Sequence, residues 1–304
     1  MYIRDAAAGA IRLAVKKTFP VWERLGIHVT PNHFYEPIPD TRSLSDNLWT
    51  NPSALVGLQM NEEGQRRLLE TFSSSYRSEY EGFPKDRTSI PYRYYVNNGG
   101  FGSVDGELLY CMVRHLRPRR IIEIGSGNST YLSAQAILKN AEDNNGYECE
   151  LIAIEPYPNP VLKKGFPGLT RLVQKRIEDV PLSEFEKLGE NDILFIDSSH
   201  VLKIGGDVQY EYLEILPRLR KGVLVHSHDV FLPSEYRKEW VLKNHIFWTE
   251  QYLLQAFMAF NDSFEVVLAA SYIHGRHPEW LESAFSSYSR GVRWPGSFWM
   301  RRAR

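Results

Sequence analysis

The sequence predicts an α/β protein built on a mostly parallel sheet with helices on both faces, preceded by a helical extension. Two observations carry this. From about residue 95 onward, short apolar runs alternate with helix-period segments, the pattern of parallel strands joined by crossover helices. Within that region the run Ile121-Ile122-Glu123-Ile124 breaks into Gly125-Ser126-Gly127 and is followed by a helix-forming segment from Tyr131 to Leu138. A buried strand, a tight turn and a helix N-terminus in that order form the usual cradle for a nucleotide-like cofactor.

Along the chain, Ile11, Val15, Phe19 and Trp22 fall on one face of an N-terminal helix, with Arg12, Lys16 and Lys17 nearby. Packing on the main body is the first expectation for this helix and a peripheral membrane contact the second. Residues 28–50 are rich in proline and turn formers and read as a linker. From Pro52 to Tyr80 the periodicity is helical, and 81–102 is an aromatic loop. A helix follows from about Ser103 to Leu116, stopped by Pro118. Strands are expected near 120–124, 150–155, 169–175, 192–197, 222–227 and 264–269, with a returning antiparallel strand at Ser297–Met300. Helices are expected before Pro217 and from about Glu250 to Phe260. The division expected is a helical and loop extension over 1–92 and a catalytic domain over 93–304.

The 304 residues are 43% hydrophobic, enough for one large domain with an extension. A formal net charge of −1 gives no general attraction to nucleic acid or anionic membrane. The arginines at 290, 293, 301, 302 and 304 are read as the basic end of a solvated edge strand. Two cysteines, Cys111 and Cys149, point to a reducing compartment, and no apolar run is long enough to span a bilayer. The expected location is cytoplasmic. No nucleic acid and no stable membrane insertion are expected, and a homo-oligomer is left open.

Gly125 and Gly127 allow a sharp turn and a close approach to a ligand. A dinucleotide fingerprint wants a third glycine where this chain has Thr130, and Glu123 would repel a pyrophosphate. The same carboxylate attracts a cation. S-adenosylmethionine carries an ammonium and a sulfonium, so charge favours it over NAD. Glu155 ends the second strand, where a carboxylate accepts from ribose hydroxyls. Glu178 and Asp179 follow the third strand, within reach of an adenine amino group.

Glu123-Ile124-Gly125-Ser126-Gly127, Glu155 and Asp192-Ile193-Leu194-Phe195-Ile196-Asp197 together resemble the class I S-adenosylmethionine-dependent methyltransferases, nearest to bacterial O-methyltransferases acting on small molecules or sugars. The resemblance spans roughly 95–304. It implies a Rossmann-like seven-stranded sheet with an antiparallel last strand. Glu123, Gly125, Gly127, Ser129, Glu155 and Glu178 are then the cofactor contacts.

The carboxyl ends of the fourth and fifth strands carry Asp197-Ser198-Ser199-His200 and His226-Ser227-His228-Asp229. A divalent metal, magnesium or manganese, held by Asp197, His228 and Asp229 would polarise an acceptor hydroxyl, with Asp197 and His200 as the catalytic pair and His200 as base. The metal-dependent sugar O-methyltransferases of macrolide pathways resemble this, having Asp-x-x-His after the fourth strand and an acidic pair after the fifth. His228 departs from the second element and tilts the donor set toward manganese, iron or zinc. His226 is read as an interior histidine. The segment Phe231–Trp248, with Tyr236, Arg237, Trp240 and His245, is the candidate lid. Asn98 and Asp105 are candidates to close the cofactor site. The expected partner is a small-molecule or glycan acceptor. Other readings stay open: a metal-free methyltransferase with a histidine base, a protein that binds S-adenosylmethionine without turnover, and an iron oxygenase. An NAD-dependent dehydrogenase ranks last.

Overall fold

The computed structural model describes residues 2–304, with side chains from Gly9 onward. In chain order the elements are α1 (Tyr2–Arg24), α2 (Asn47–Thr50), α3 (Glu62–Tyr80), α4 (Asp105–Leu116), β1 (Arg120–Ile124), α5 (Asn128–Asp143), β2 (Glu150–Ile154), α6 (Pro160–Lys164), β3 (Arg171–Val173), α7 (Leu182–Phe185), β4 (Ile193–Ile196), α8 (Asp207–Tyr210), β5 (Leu224–Ser227), α9 (Lys238–Leu242), α10 (Glu250–Met258), β6 (Phe264–Ala269), α11 (Ala270–Arg276), α12 (Pro278–Ala284) and β7 (Phe298–Arg302).

Two compact units emerge, with boundaries other than 92/93. One contains the N-terminal segment up to Asn51 together with Arg237–Phe247; the other contains Pro52–Tyr236 and Trp248–Arg304. In the first unit, Phe19 of α1 stacks on His28 at 5.4 Å and Lys16 approaches Glu36 at 3.9 Å. Ile11 (65% exposed) and Trp22 (36%) remain outside those contacts. No helix among the described residues is long and apolar enough to cross a membrane. In the same unit Lys238 of α9 pairs with Asp46 at 2.6 Å.

The second unit holds a seven-stranded sheet in the order β3-β2-β1-β4-β5-β7-β6. β1 to β5 run parallel, and β7 is antiparallel to both neighbours. This is the Rossmann-like mixed sheet expected, with one correction. β7 lies inside the sheet rather than at its edge, so Arg301 and Arg302 extend an interior strand. There Arg301 approaches Glu265 at 4.0 Å and the Arg302 guanidinium sits over the Phe264 ring at 5.0 Å. The edges are β3 and β6.

Period-two alternation along each strand divides the core into two layers. Ile121, Ile193, Phe195, Leu224 and Trp299 pack under α3, α4, α5 and α12. Ile122, Ile124, Ile154, Leu194, Ile196 and Val225 pack against the opposite layer, which includes Phe185, Val208, Ile215 and Leu254. Helix α3 begins at Glu62, not Pro52. Leu55 and Asn61 have left-handed backbone and Gly57 has φ +83°, and these break the helix that the leucine spacing suggests. From Leu69 and Phe72, α3 joins the first layer, and Tyr80 donates to the Ala284 carbonyl at 2.7 Å. Helices α11 and α12 between β6 and β7 were not foreseen.

Because Phe72 has no solvent exposure, Phe72→Ala is expected to cost about 3–5 kcal/mol. Urea unfolding checks this. A loss under 1 kcal/mol would place α3 outside the cooperative unit.

Candidate active site

The parallel ladder continues one residue past each strand, and that extension builds the site. The Glu155 amide donates to the Val173 carbonyl (3.1 Å), Gly125 to Ile154 (3.0 Å), Asp197 to Ile124 (2.9 Å) and His228 to Ile196 (3.0 Å). Four residues singled out in the sequence are thus locked side by side at the carboxyl edge. β1 flanked by β2 and β4 is the point where strand order reverses, the expected ligand crevice of such sheets.

On one side of the crevice is a cavity of about 410 Å³. It brings together Gly125, Glu155, Glu178 and Asp197, with Tyr157 and Lys203 also lining it. Gly125 is required by two constraints. Its φ is +76°, and a Cβ there would collide with the carbonyl of Asp197. At Gly127 a Cβ would meet no protein atom within 4 Å, so packing among the described residues does not demand glycine there. Thr130 explains the missing third glycine. It is buried, and its hydroxyl accepts from the Gly127 amide at 2.9 Å, closing the turn at the start of α5. The two Glu155 oxygens accept from the Ser126 amide (3.3 Å) and the Tyr157 amide (2.7 Å).

Glu123, Gly127 and Ser129 are not in the cavity wall. Glu123 is buried below the turn, with one oxygen accepting from the Ser129 hydroxyl and the other, Oε2, without a hydrogen-bond partner among the described residues. Burial pushes its carboxyl up to about 8, against the hydrogen bond from Ser129. An unpartnered buried carboxylate oxygen is the observation that fits an incoming ammonium.

Next to this lies a cluster of acids and imidazoles. His200 Nε2 lies 3.3 Å from Asp197 Oδ1 and 3.7 Å from Asp229 Oδ2. His228 Nδ1 lies 3.5 and 3.6 Å from the same two carboxylates, and its Nε2 is 3.8 Å from Asp105. Among the described residues, Asp197, His200 and Asp229 form the group whose donor atoms all lie within 4.8 Å of one another, as a metal ion requires. His228 is not in that group. Both His200 (φ +59°) and Asp229 (φ +54°) hold left-handed backbone, costly for residues with a Cβ and concentrated at functional sites. Gly296 makes the Asp229 conformation possible: a Cβ there would sit 2.9 Å from the Asp229 Cα.

The charges in the cluster are coupled. Burial disfavours a charged His200, but hydrogen bonds to Asp197 and Glu250 outweigh it and push the imidazole up to about 10. Burial likewise opposes charge on His228, and Asp229 and Asp197 raise it. Asp197 is held well below the carboxylate range: burial would raise it, and the charge of His228 with the His200 hydrogen bond overrides that. Asp229 goes the other way, because burial outweighs its more distant imidazoles.

His226 stays out of the cluster. It stacks on Phe195 at 4.1 Å, bonds Ser297 Oγ through Nε2 at 3.1 Å, and burial holds it neutral. Asn98 spends its side chain on its own loop, bonding the Tyr95 and Phe101 carbonyls and the Gly100 and Phe101 amides. Asp105 accepts from the Gly296 and Ser297 amides, bracing the turn beside Asp229. Of the lid segment, Phe231 and Tyr236 are buried in the second unit and Trp248 packs on the His200 ring at 4.4 Å; Arg237–Phe247 belongs to the first unit.

The sequence reading missed Glu250. It is 1% exposed, and its Oε2 lies 2.8 Å from His200 Nδ1. Its other oxygen accepts from the Tyr212 hydroxyl at 3.0 Å, and that hydroxyl contacts Ser227 Oγ at 3.2 Å. The available signal was an acid on the same α10 stripe as Leu254, Phe257 and Met258, a place where helix periodicity calls for an apolar residue.

A family model described as a methyltransferase domain matches residues 122–230, which run from within β1 to just past the end of β5. An uncharacterized protein of Archaeoglobus fulgidus is 33% identical over 170 residues, covering 54% of this chain and 75% of that protein. Among solved structures, the O-methyltransferase TomG from Streptomyces achromogenes, in complex with S-adenosylmethionine, is 15% identical over 78% of this chain and 90% of its own, with a TM-score of 0.39. An O-methyltransferase from Bacillus cereus with S-adenosylhomocysteine is 13% identical over 78% and 91%, with a TM-score of 0.38. Those two scores are too low to carry weight. The domain match and the strand order agree: the chain carries a methyltransferase domain on a Rossmann-like sheet.

A carboxyl raised on folding costs stability as pH climbs from the ordinary carboxylate range through about 8, and nothing below that range. For Glu123 this loss amounts to roughly 1 kcal/mol per pH unit across the window. Glu123→Gln is expected to flatten that part of the stability profile and to abolish S-adenosylhomocysteine binding. Urea unfolding at a series of pH values, paired with calorimetry, checks both; an unchanged profile would remove Glu123 from the account.

Proposed function

We propose that this methyltransferase acts on a hydroxyl group of a small molecule or glycan, with a divalent metal held beside the transferred methyl. The observation that carries the reading is the Asp197, His200 and Asp229 cluster at the strand ends next to the cofactor turn. In this reading Glu123, Gly127 and Ser129 take the amino-acid end of S-adenosylmethionine, while Gly125, Glu155 and Glu178 line the space for its nucleoside. The unpartnered Glu123 oxygen supports the first assignment and the cavity supports the second. The cofactor supplies the methyl group.

The donor set fits a metal. Asp105, Asp197, Asp229 and Glu250 face only two imidazoles, an excess of carboxylate that a dication neutralises. Two carboxylates with an imidazole favour manganese, iron or zinc over magnesium. When bound, the metal would polarise the acceptor oxygen and lower its pKa. Asp197 and Asp229 would hold it through their carboxylates and His200 through Nε2. A second reading keeps His200 as the general base and gives the third metal position to His228, whose Nδ1 also lies within 3.6 Å of both carboxylates.

Titration of metal-stripped protein with Mn²⁺, followed by electron paramagnetic resonance of the free ion, separates the two. The first reading expects His200→Ala to weaken Mn²⁺ by at least about tenfold while His228→Ala changes it little; the second expects the reverse. Methyl transfer from labelled S-adenosylmethionine to a panel of hydroxylated glycans and phenols, with and without chelator, tests the reaction itself. Transfer that survives complete metal removal would contradict the metal assignment.

A further inference from the structure

We infer that Glu250 is a positioning residue for this site: through His200 Nδ1 it fixes the ring so that Nε2 faces Asp197 and Asp229. The inference rests on the first metal reading above. It starts from geometry. Imidazole has two nitrogens, and which one serves a metal is set by the hydrogen bond that the other makes. Here Nδ1 meets Glu250 Oε2 at 2.8 Å, and Nε2 meets Asp197 at 3.3 Å, so the ring is held from both ends.

Glu250 is itself tightly fixed. It is 1% exposed at the first turn of α10, and its second oxygen is taken by the Tyr212 hydroxyl. Tyr212 lies in a π-helical turn, Glu211–Ile215, a rare widened backbone form that is frequent at functional sites. The Thr249 and Glu250 amides donate to the His200 carbonyl at 2.9 and 3.1 Å, tying the α10 N-terminus to the same residue. The Trp248 ring packs on the imidazole face. Burying a carboxylate here is costly, and a packing role alone would be filled by leucine or glutamine without that cost. What a carboxylate adds is a strong acceptor for Nδ1–H, so that Nε2, facing Asp197 and Asp229, is the nitrogen that would give up its proton to a metal.

The test is a double-mutant cycle read by Mn²⁺ affinity, with S-adenosylhomocysteine calorimetry as the control for folding. Glu250→Gln is expected to weaken Mn²⁺ about 10- to 100-fold while S-adenosylhomocysteine affinity stays within about twofold. In a His200→Ala background the same substitution is expected to cost nothing further, because Glu250 acts through His200. Glu250→Asp should recover part of the loss. If Glu250→Gln fails to bind S-adenosylhomocysteine, Tyr212→Phe carries the test: a smaller loss of Mn²⁺ affinity, again absent without His200. Equal losses in both backgrounds, or no loss in either variant, would overturn the inference. Wild-type protein that binds S-adenosylhomocysteine but not Mn²⁺ would overturn the metal reading and this inference with it. Failure of this inference alone leaves wild-type Mn²⁺ binding intact.

Discussion

The site depends on the parallel alignment of β2, β1, β4 and β5. Their shared direction brings four chain reversals to one edge, and their registers carry the ladder one residue beyond each strand, through Glu155, Gly125, Asp197 and His228. Backbone hydrogen bonds, not side-chain contacts, therefore set the spacing of the functional groups. Side chains of different chemistry can be mounted on such a frame without changing it. Gly125 is the tightest point, where the turn after β1 meets the Asp197 carbonyl with no room for a Cβ.

Onto that frame the chain mounts buried charge. Glu123 has one oxygen satisfied and one unpartnered, and the four carboxylates Asp105, Asp197, Asp229 and Glu250 outnumber the imidazoles of His200 and His228. Unpaired buried polar groups cost stability, and proteins keep them where a ligand completes the set. The left-handed backbone at His200 and Asp229 adds to the same cost. The bracing comes from outside the strand ends: Asp105 and Gly296 on one side, Glu250 and Tyr212 on the other.

Much of the fold was legible because strand and helix periods differ. Six of the seven strands fall within the expected segments, β7 begins where expected and runs on to Arg302, and Gly125 stood out as a turn glycine from the sequence alone. The rest depended on information that period does not carry. The edge position assigned to the last strand was wrong because basic residues at a chain end look solvated, and the sequence does not show β6 pairing outside it. The α3 start was misplaced because leucine spacing from Leu55 to Leu69 imitates a helix, whereas left-handed residues interrupt it. Glu250 carried one signal, an acid on the apolar stripe of α10, but its partner His200 lies 50 residues away and no local pattern links the two. The two histidines His226 and His228 share a strand face, yet Phe195 and Trp299 enclose one while three carboxylates surround the other. Only packing distinguishes them.

The central claim is that the cofactor turn and the acid–imidazole cluster form one site. Nuclear magnetic relaxation of S-adenosylhomocysteine bound to the protein, with Mn²⁺ added at substoichiometric amounts, tests it directly. Mn²⁺ is expected to broaden the ligand resonances near the sulfur strongly, and Asp197→Asn with Asp229→Asn to remove the effect while the ligand still binds. Bound ligand whose resonances stay sharp in the presence of bound Mn²⁺ would contradict a shared site.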